Sequence, residues 1–151
     1  MLPQPVADSH FEEAEEYLLN PVNRVPMEYT SDFKNNVSES GGSYIFFHND
    51  LVIYTGETTN IRQRLGVHMR NPENHVLMLK LTRLLWDQIH GEGEAGNRRV
   101  FPHDHRAVVM GWISDNLTVS YLSLGIGRKE LEERLIINHD PSFNQRYPQL
   151  P

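Results

Sequence analysis

The chain has 151 residues, a net charge of −6 and no cysteine, which suits one domain with its own core and excludes a disulfide framework, thiol catalysis and Cys-based zinc. No apolar run is long enough for a membrane-spanning helix and no basic-then-apolar leader opens the sequence, so the cytoplasm is the expected compartment. The charge is uneven: residues 1–40 carry 8 acids and 2 bases, whereas residues 61–106 carry 8 bases and 5 acids, enough for a local basic face.

Residues 1–40 read as an acidic helical appendage. Pro3 and Pro5 keep the first residues irregular, and HFEEAEEYLLN forms a helix that Pro21 ends, with its acids in the first turns where the helix dipole favours them. One further helical turn is expected near residues 31–37. Ser40-Gly41-Gly42 is a flexible lead into the first strand. Tyr44-Ile45-Phe46-Phe47 and Leu51-Val52-Ile53-Tyr54 are strand runs, and His48-Asn49-Asp50 between them is turn chemistry. Gly56 ends the second strand, and Thr58, Thr59 or Asn60 caps a helix that begins near Ile61. Arg64 and His68, four residues apart, share a face of that helix beside its apolar stripe, aimed back at the hairpin that carries Tyr44 and Tyr54.

Arg70-Asn71-Pro72 is a break, and His75 to His90 reads as a longer amphipathic helix. Residues 91–106 read as a loop, in which Arg98 and Arg99 are candidates for phosphate contact. His103-Asp104-His105 is too small a set for a metal site without another spaced ligand. Residues 107–113 are β-prone with a helical alternative, 114–116 a turn, and 117–124 an alternating strand. A last helix over residues 129–138 carries three glutamates. Glu132 lies about 60° from the mean apolar direction, Glu130 about 140° and Glu133 about 160°, so Glu132 alone borders the buried side. His139-Asp140-Pro141 stops the helix, and the tail is extended.

Gly42-Ser43-Tyr44 and Tyr54-Thr55-Gly56 resemble the two halves of the signature of the GIY-YIG nucleases. The tyrosines stand ten residues apart, Arg64 follows the second by ten, and His68 follows Arg64 by four. Ser43 and Thr55 depart from the signature where isoleucine is usual, but the side chains that carry the chemistry are the tyrosines. Glu132, the pair Leu135-Ile136 and the run Pro141-Ser142-Phe143-Asn144 fit the family's later pattern, so the resemblance covers about residues 42–144. It implies an α+β fold: a small antiparallel sheet of three or four strands flanked by helices. Residues 41–151 would form the nuclease domain, with an insertion around 70–106.

The activity the resemblance implies is metal-dependent hydrolysis of DNA phosphodiester bonds. Tyr44, Tyr54, Arg64, His68, Glu132 and Asn144 would form the active site. Glu132, the one inward carboxylate, would hold a single Mg²⁺ or Mn²⁺. Arg64 can fork onto phosphate oxygens. The resemblance makes Tyr44 the general base or the positioner of the attacking water. With an ordinary pKa of about 10, a phenol needs help to ionise at neutral pH. Tyr54 and His68 would bind water or phosphate, and Asn144 would hold part of the site in place. Arg62, Arg70, Arg98 and Arg99 are the expected nucleic-acid contacts. The short chain looks most like a restriction- or phage-type enzyme acting on double-stranded DNA, as a homodimer where both strands are cut. A catalytically silent binding module of the same fold and an RNA-cleaving nuclease are the alternatives.

Overall fold

A computed structural model describes residues 8–151; the irregular start expected at Pro3 and Pro5 lies outside them. In chain order the elements are α1 (Asp8–Leu19), β1 (Val25–Pro26), α2 (Ser31–Asn36), β2 (Gly42–His48), β3 (Leu51–Thr58), α3 (Ile61–Gly66), α4 (Val76–His90), α5 (His103–Asn116), β4 (Leu117–Ser123) and α6 (Arg128–His139). Short 3₁₀ turns follow α1 (Pro21–Asn23), α3 (His68–Arg70) and α6 (Ser142–Asn144). The strands form one antiparallel sheet in the order β1-β4-β2-β3. The architecture is the α+β one expected, with four strands.

β2 is central, paired along its length with β3 and β4. Helices cover both faces of the sheet, which is why β2 and β3 read as continuous apolar runs rather than as alternation. Tyr44, Phe46, Ile53 and Tyr54 face one layer, filled by Ile61 and Leu65 of α3, Leu77, Met78, Leu81 and Leu85 of α4, and Val109 and Ile113 of α5. Ile45, Phe47 and Val52 face the other, filled by Ala14 and Leu18 of α1 and Leu131 and Leu135 of α6. A bulge sorts these residues. Phe46 pairs with Tyr54 and Phe47 with Val52, leaving Ile53 as the extra residue that keeps Tyr54 on the side of Tyr44.

Two expectations change, and one strand is new. The segment read as loop, β-prone run and turn is the single helix α5. Its buried residues His105, Val109 and Ile113 recur every fourth position, and packing on α4 and β4 outweighs the β-prone valines and Gly111. The helix after Ile61 ends at Gly66, so His68 stands in the following 3₁₀ turn rather than on the same helix as Arg64. β1 is a two-residue edge strand containing Pro26, too short to leave a periodic signal. In α6 the buried residues are Leu131 and Leu135, and Ile137 is exposed.

Candidate active site

Tyr44 stands opposite Gly56 across the hairpin, and a Cβ at Gly56 would collide with its hydroxyl and ring. The glycine that closes Tyr54-Thr55-Gly56 is therefore the space in which Tyr44 lies. Gly42 is constrained in the same way: a Cβ there would strike Leu122 of β4 and Ile61 of α3. The two tyrosine rings have centroids 6.2 Å apart at an interplanar angle of 38°. Thr55, the residue between Tyr54 and Gly56, is buried on the opposite face, as is Ser43.

α3 delivers the cation. Asn60 caps it, its side chain accepting from the backbone N–H of Gln63 at 3.0 Å. Ile61 and Leu65 anchor the helix in the core, so Arg64 faces the hairpin. Arg64 Nε donates to Tyr44 Oη at 3.4 Å, while Nη1 donates to the Asn74 carbonyl at 2.9 Å and lies 3.4 Å from His68 Nδ1. The pairing of Arg64 with His68 survives the end of the helix between them, because the 3₁₀ turn folds the histidine back. Burial, and then the charge of Arg64, lower the His68 pKa from its ordinary value.

Glu132 comes from α6 in the opposite layer, which packs on β3, the edge strand. It is half-buried while Glu130 and Glu133 are exposed, as its position relative to the apolar residues requires. Burial raises its pKa, the charge of Glu57 adds to the rise, and the backbone of Glu57 and the charge of Arg64 oppose it. Glu57 itself is paired with Arg128 at 3.2 Å. Among the described residues Glu132 makes no ion pair, and no cluster of three or more metal-ligating side chains occurs. A carboxylate held in a low-dielectric place near a second one, and lacking a cationic partner of its own, suits one hard cation whose other positions are filled by water and phosphate.

Asn144 works on the backbone. Its Nδ2 donates to the Thr55 carbonyl and its Oδ1 accepts from the Thr55 N–H, both at 2.9 Å. The carboxamide thus pairs with the free edge of β3 as a neighbouring strand would. Lys80 of α4 clamps the turn that carries it, donating to the carbonyls of Phe143 at 2.8 Å and Gln145 at 2.7 Å.

The sequence pattern did not single out His75. It is only 2% exposed; its Nδ1 accepts from the Leu77 N–H and its Nε2 lies 3.1 Å from Tyr44 Oη. It stood in the sequence as the first residue of an amphipathic helix, and nothing in the periodicity distinguishes a cap that also reaches a tyrosine. Burial pushes the Tyr44 phenol well above its ordinary value, Tyr54 adds to the rise, and Arg64 opposes it. Tyr54 is raised by burial too, against the pull of Arg64 and with the charge of Glu132 adding.

The arginines expected at nucleic acid divide. Arg62 is engaged within the protein: it donates to the carbonyls of Val37 and Asn35 and pairs with Glu39 at 2.9 Å. Arg98 lies with its guanidinium carbon 4.2 Å from the Trp86 ring centroid, and Arg99 is exposed. Arg70 lines a cleft of about 410 Å³ with His103 and Arg106, the last not foreseen. His105 is a core residue, its Nε2 on the Thr82 carbonyl at 2.8 Å.

The family model described as the GIY-YIG catalytic domain matches residues 27–149. Among solved structures, the chain is similar to the magnesium-bound GIY-YIG N-terminal endonuclease domain of UvrC from Thermotoga maritima. The two are 17% identical, with 76% of this chain and 93% of that one covered and a TM-score of 0.41. A point mutant of the same domain, bound to its catalytic divalent cation, gives the same values. No curated protein matches the chain in sequence.

Proposed function

The chain belongs to the GIY-YIG family of metal-dependent endonucleases, and from that premise we propose that it hydrolyses phosphodiester bonds of double-stranded DNA with one Mg²⁺ or Mn²⁺ bound at Glu132. The observation that carries this reading is the convergence at the β3 edge. Arg64 joins Tyr44 and His68 there from one layer, and Glu132 arrives from the other, close enough to Tyr54 to shift its ionisation. With Glu57 neutralised by Arg128, one carboxylate remains for metal, which favours a single ion over a two-ion clamp.

The chain's own residues divide the work. Tyr44 and Tyr54, both protonated, orient the attacking water, whose oxygen forms a bond to phosphorus as the bond to the leaving oxygen breaks; the proton the water loses goes to solvent, and the leaving oxygen takes one from solvent. Arg64, permanently charged, balances the negative charge that grows on the phosphate oxygens. His68, at the open rim, hydrogen-bonds phosphate or water. Asn144 holds the β3 edge, and with it Tyr54, in register. A divalent cation on Glu132 supplies Lewis-acid stabilisation of the phosphate and the leaving oxygen.

Charge placement supports DNA as the substrate despite the overall acidity. The exposed acids of α1 (Glu12, Glu13 and Glu16) lie on the layer opposite the tyrosines. Arg70, Arg98, Arg99 and Arg106 all belong to the insertion around residues 70–106, and we assign them to the DNA backbone in place of Arg62. Nε of Arg106 is buried without a partner. In this reading residues 1–40 are an acidic appendage outside the DNA face, and the enzyme is of restriction type, two copies being needed to cut both strands. The test is supercoiled-plasmid cleavage in Mg²⁺, in Mn²⁺ and in EDTA. Cutting is expected with either metal, absent in EDTA and absent in Glu132→Ala; cutting of normal rate by that variant would remove Glu132 from the metal site.

A further inference from the structure

We propose that His75 is a positioning residue that fixes the direction of the Tyr44 hydroxyl proton, turning it away from α4 and towards Tyr54 and the Glu132 edge. This rests on the reading of Tyr44 as a group that handles the attacking water. The argument is one of proton counting. A backbone N–H can only donate, so the 3.1 Å contact from the Leu77 N–H to His75 Nδ1 requires a lone pair on Nδ1. Burial, with the nearby charges of Arg64 and His68, holds His75 well below its ordinary pKa, so the ring is neutral and carries one proton. That proton sits on Nε2, and Nε2–H donates to Tyr44 Oη across 3.1 Å.

The same phenol oxygen accepts from Arg64 Nε–H at 3.4 Å. Two donors occupy its lone pairs, and its own O–H must leave in the remaining direction. The other hydroxyl beside it is that of Tyr54, whose ring centroid lies 6.2 Å from that of Tyr44 and whose ionisation is shifted by Glu132. A directed chain results: Leu77 N–H to His75, His75 to Tyr44, Tyr44 towards Tyr54. With the other tautomer, two N–H groups would face each other at 3.1 Å inside the core, and Tyr44 would point its proton back at a bare Nε2. The arrangement also means that if Tyr44 gives up its proton, two donors already surround the oxygen, with no reorganisation required.

The two nitrogens separate by substitution. His75→Asn keeps an acceptor at the Nδ1 position for the Leu77 N–H and removes the donor to Tyr44; His75→Gln restores a donor at the distance of Nε2. The expected result is a folded His75→Asn with turnover on plasmid DNA lowered on the order of 10- to 100-fold and KM little changed. His75→Gln should recover much of that loss. In single turnovers on a Tyr44→Phe background, His75→Asn should cost nothing further, because the hydroxyl it acts on is gone. In ¹⁵N-histidine NMR, His75 should show a protonated Nε2 and a bare Nδ1. A protonated Nδ1, or a full additional loss in the Tyr44→Phe background, would overturn the proposal. A wild type that cuts no DNA would sink the nuclease reading alone, and the tautomer measurement would still decide the direction of the chain.

Discussion

The two layers packed on this sheet are built from the same strands and do different work. The layer of α3, α4 and α5 holds a buried polar set: Tyr44, Tyr54 and His75, with Arg64 at its margin. The layer of α1 and α6 has an apolar core made by Ala14, Leu18, Ile45, Phe47, Val52, Leu131 and Leu135, its buried polar groups are the small hydroxyls of Ser43, Thr55 and Ser120, and its charges stay at the rim. Buried polar groups cost several kcal/mol unless satisfied, so the first layer must be fixed by directional bonds between side chains, whereas the second rests mainly on volume and shape. Stability and chemistry are thereby divided between the two faces, and Glu132 is the one proposed catalytic group contributed by the apolar layer. Because α6 packs on the edge strand β3, the proposed site lies where the layers meet.

That division predicts opposite outcomes for one substitution in each layer. Leu18 is fully buried in α1 against β2, β4 and α6. Leu18→Ala should lower unfolding free energy by about 2–5 kcal/mol, seen in chemical denaturation, with the rate of cutting by folded enzyme unchanged. Arg64→Ala should do the reverse. Turnover should fall on the order of 10²- to 10³-fold, the cost of removing one preorganised donor, with a smaller change in DNA affinity by anisotropy. Equal losses of turnover and affinity would make Arg64 a docking residue, and a rate loss in Leu18→Ala would mean that the layers are coupled.

The division also explains which parts were legible in the sequence. The tyrosines, Arg64 and His68 are local in sequence, held by one hairpin and the helix after it, and Glu132 is set apart by helical phase alone. All five positions were therefore legible in the sequence, and the roles proposed for them come from the family resemblance. Asn144 was readable as a position but not as a function: only the topology shows that it pairs with an exposed strand edge. His75 was hidden because its two bonds run to Leu77, which is local, and to Tyr44, which is 31 residues away. α5 was misread because its buried stripe is only three residues wide, with Pro102 rather than a capping side chain in front. Tertiary packing settled that segment against its local preference. The internal bonds of Arg62 were hidden for a related reason: a surface-type residue is engaged by carbonyls at the end of α2 that no pattern places next to it.

A milder perturbation enters the tyrosine layer through the backbone. Gly56→Ala places a methyl where the Tyr44 hydroxyl and ring lie. Overpacking of this kind costs about 1–3 kcal/mol, and here Tyr44 is what must move. The expected signature is a modest fall in melting temperature with a loss of cutting larger than the fall in stability explains. Loss of stability with normal cutting would show that the ring relaxes without leaving its working position.

The smallest effect expected lies at the rim of the apolar layer. Glu15 of α1 accepts from Arg134 Nε at 3.0 Å, from Asn138 at 3.2 Å and from His139 at 3.1 Å, tying α1 to α6. Burial raises its carboxyl, but the hydrogen bonds from Arg134, Asn138 and His139 outweigh that and leave its pKa below the ordinary 4.5. A carboxyl depressed in the folded state stabilises above its unfolded pKa, and that contribution drains away as the pH falls through the lower folded value. Glu15→Gln should therefore melt slightly earlier than wild type at pH 7, by at most about 1 kcal/mol for a pair at the surface. The two melting curves should converge below about pH 4.5, where wild type loses the charge that the variant never had. Cutting should be equal in both, because this tether lies on the far layer from the tyrosines. A Glu15→Gln enzyme that cut more slowly at unchanged stability would show that α1 steers α6, and through it Glu132, and the apolar layer would then be part of the machinery rather than its support.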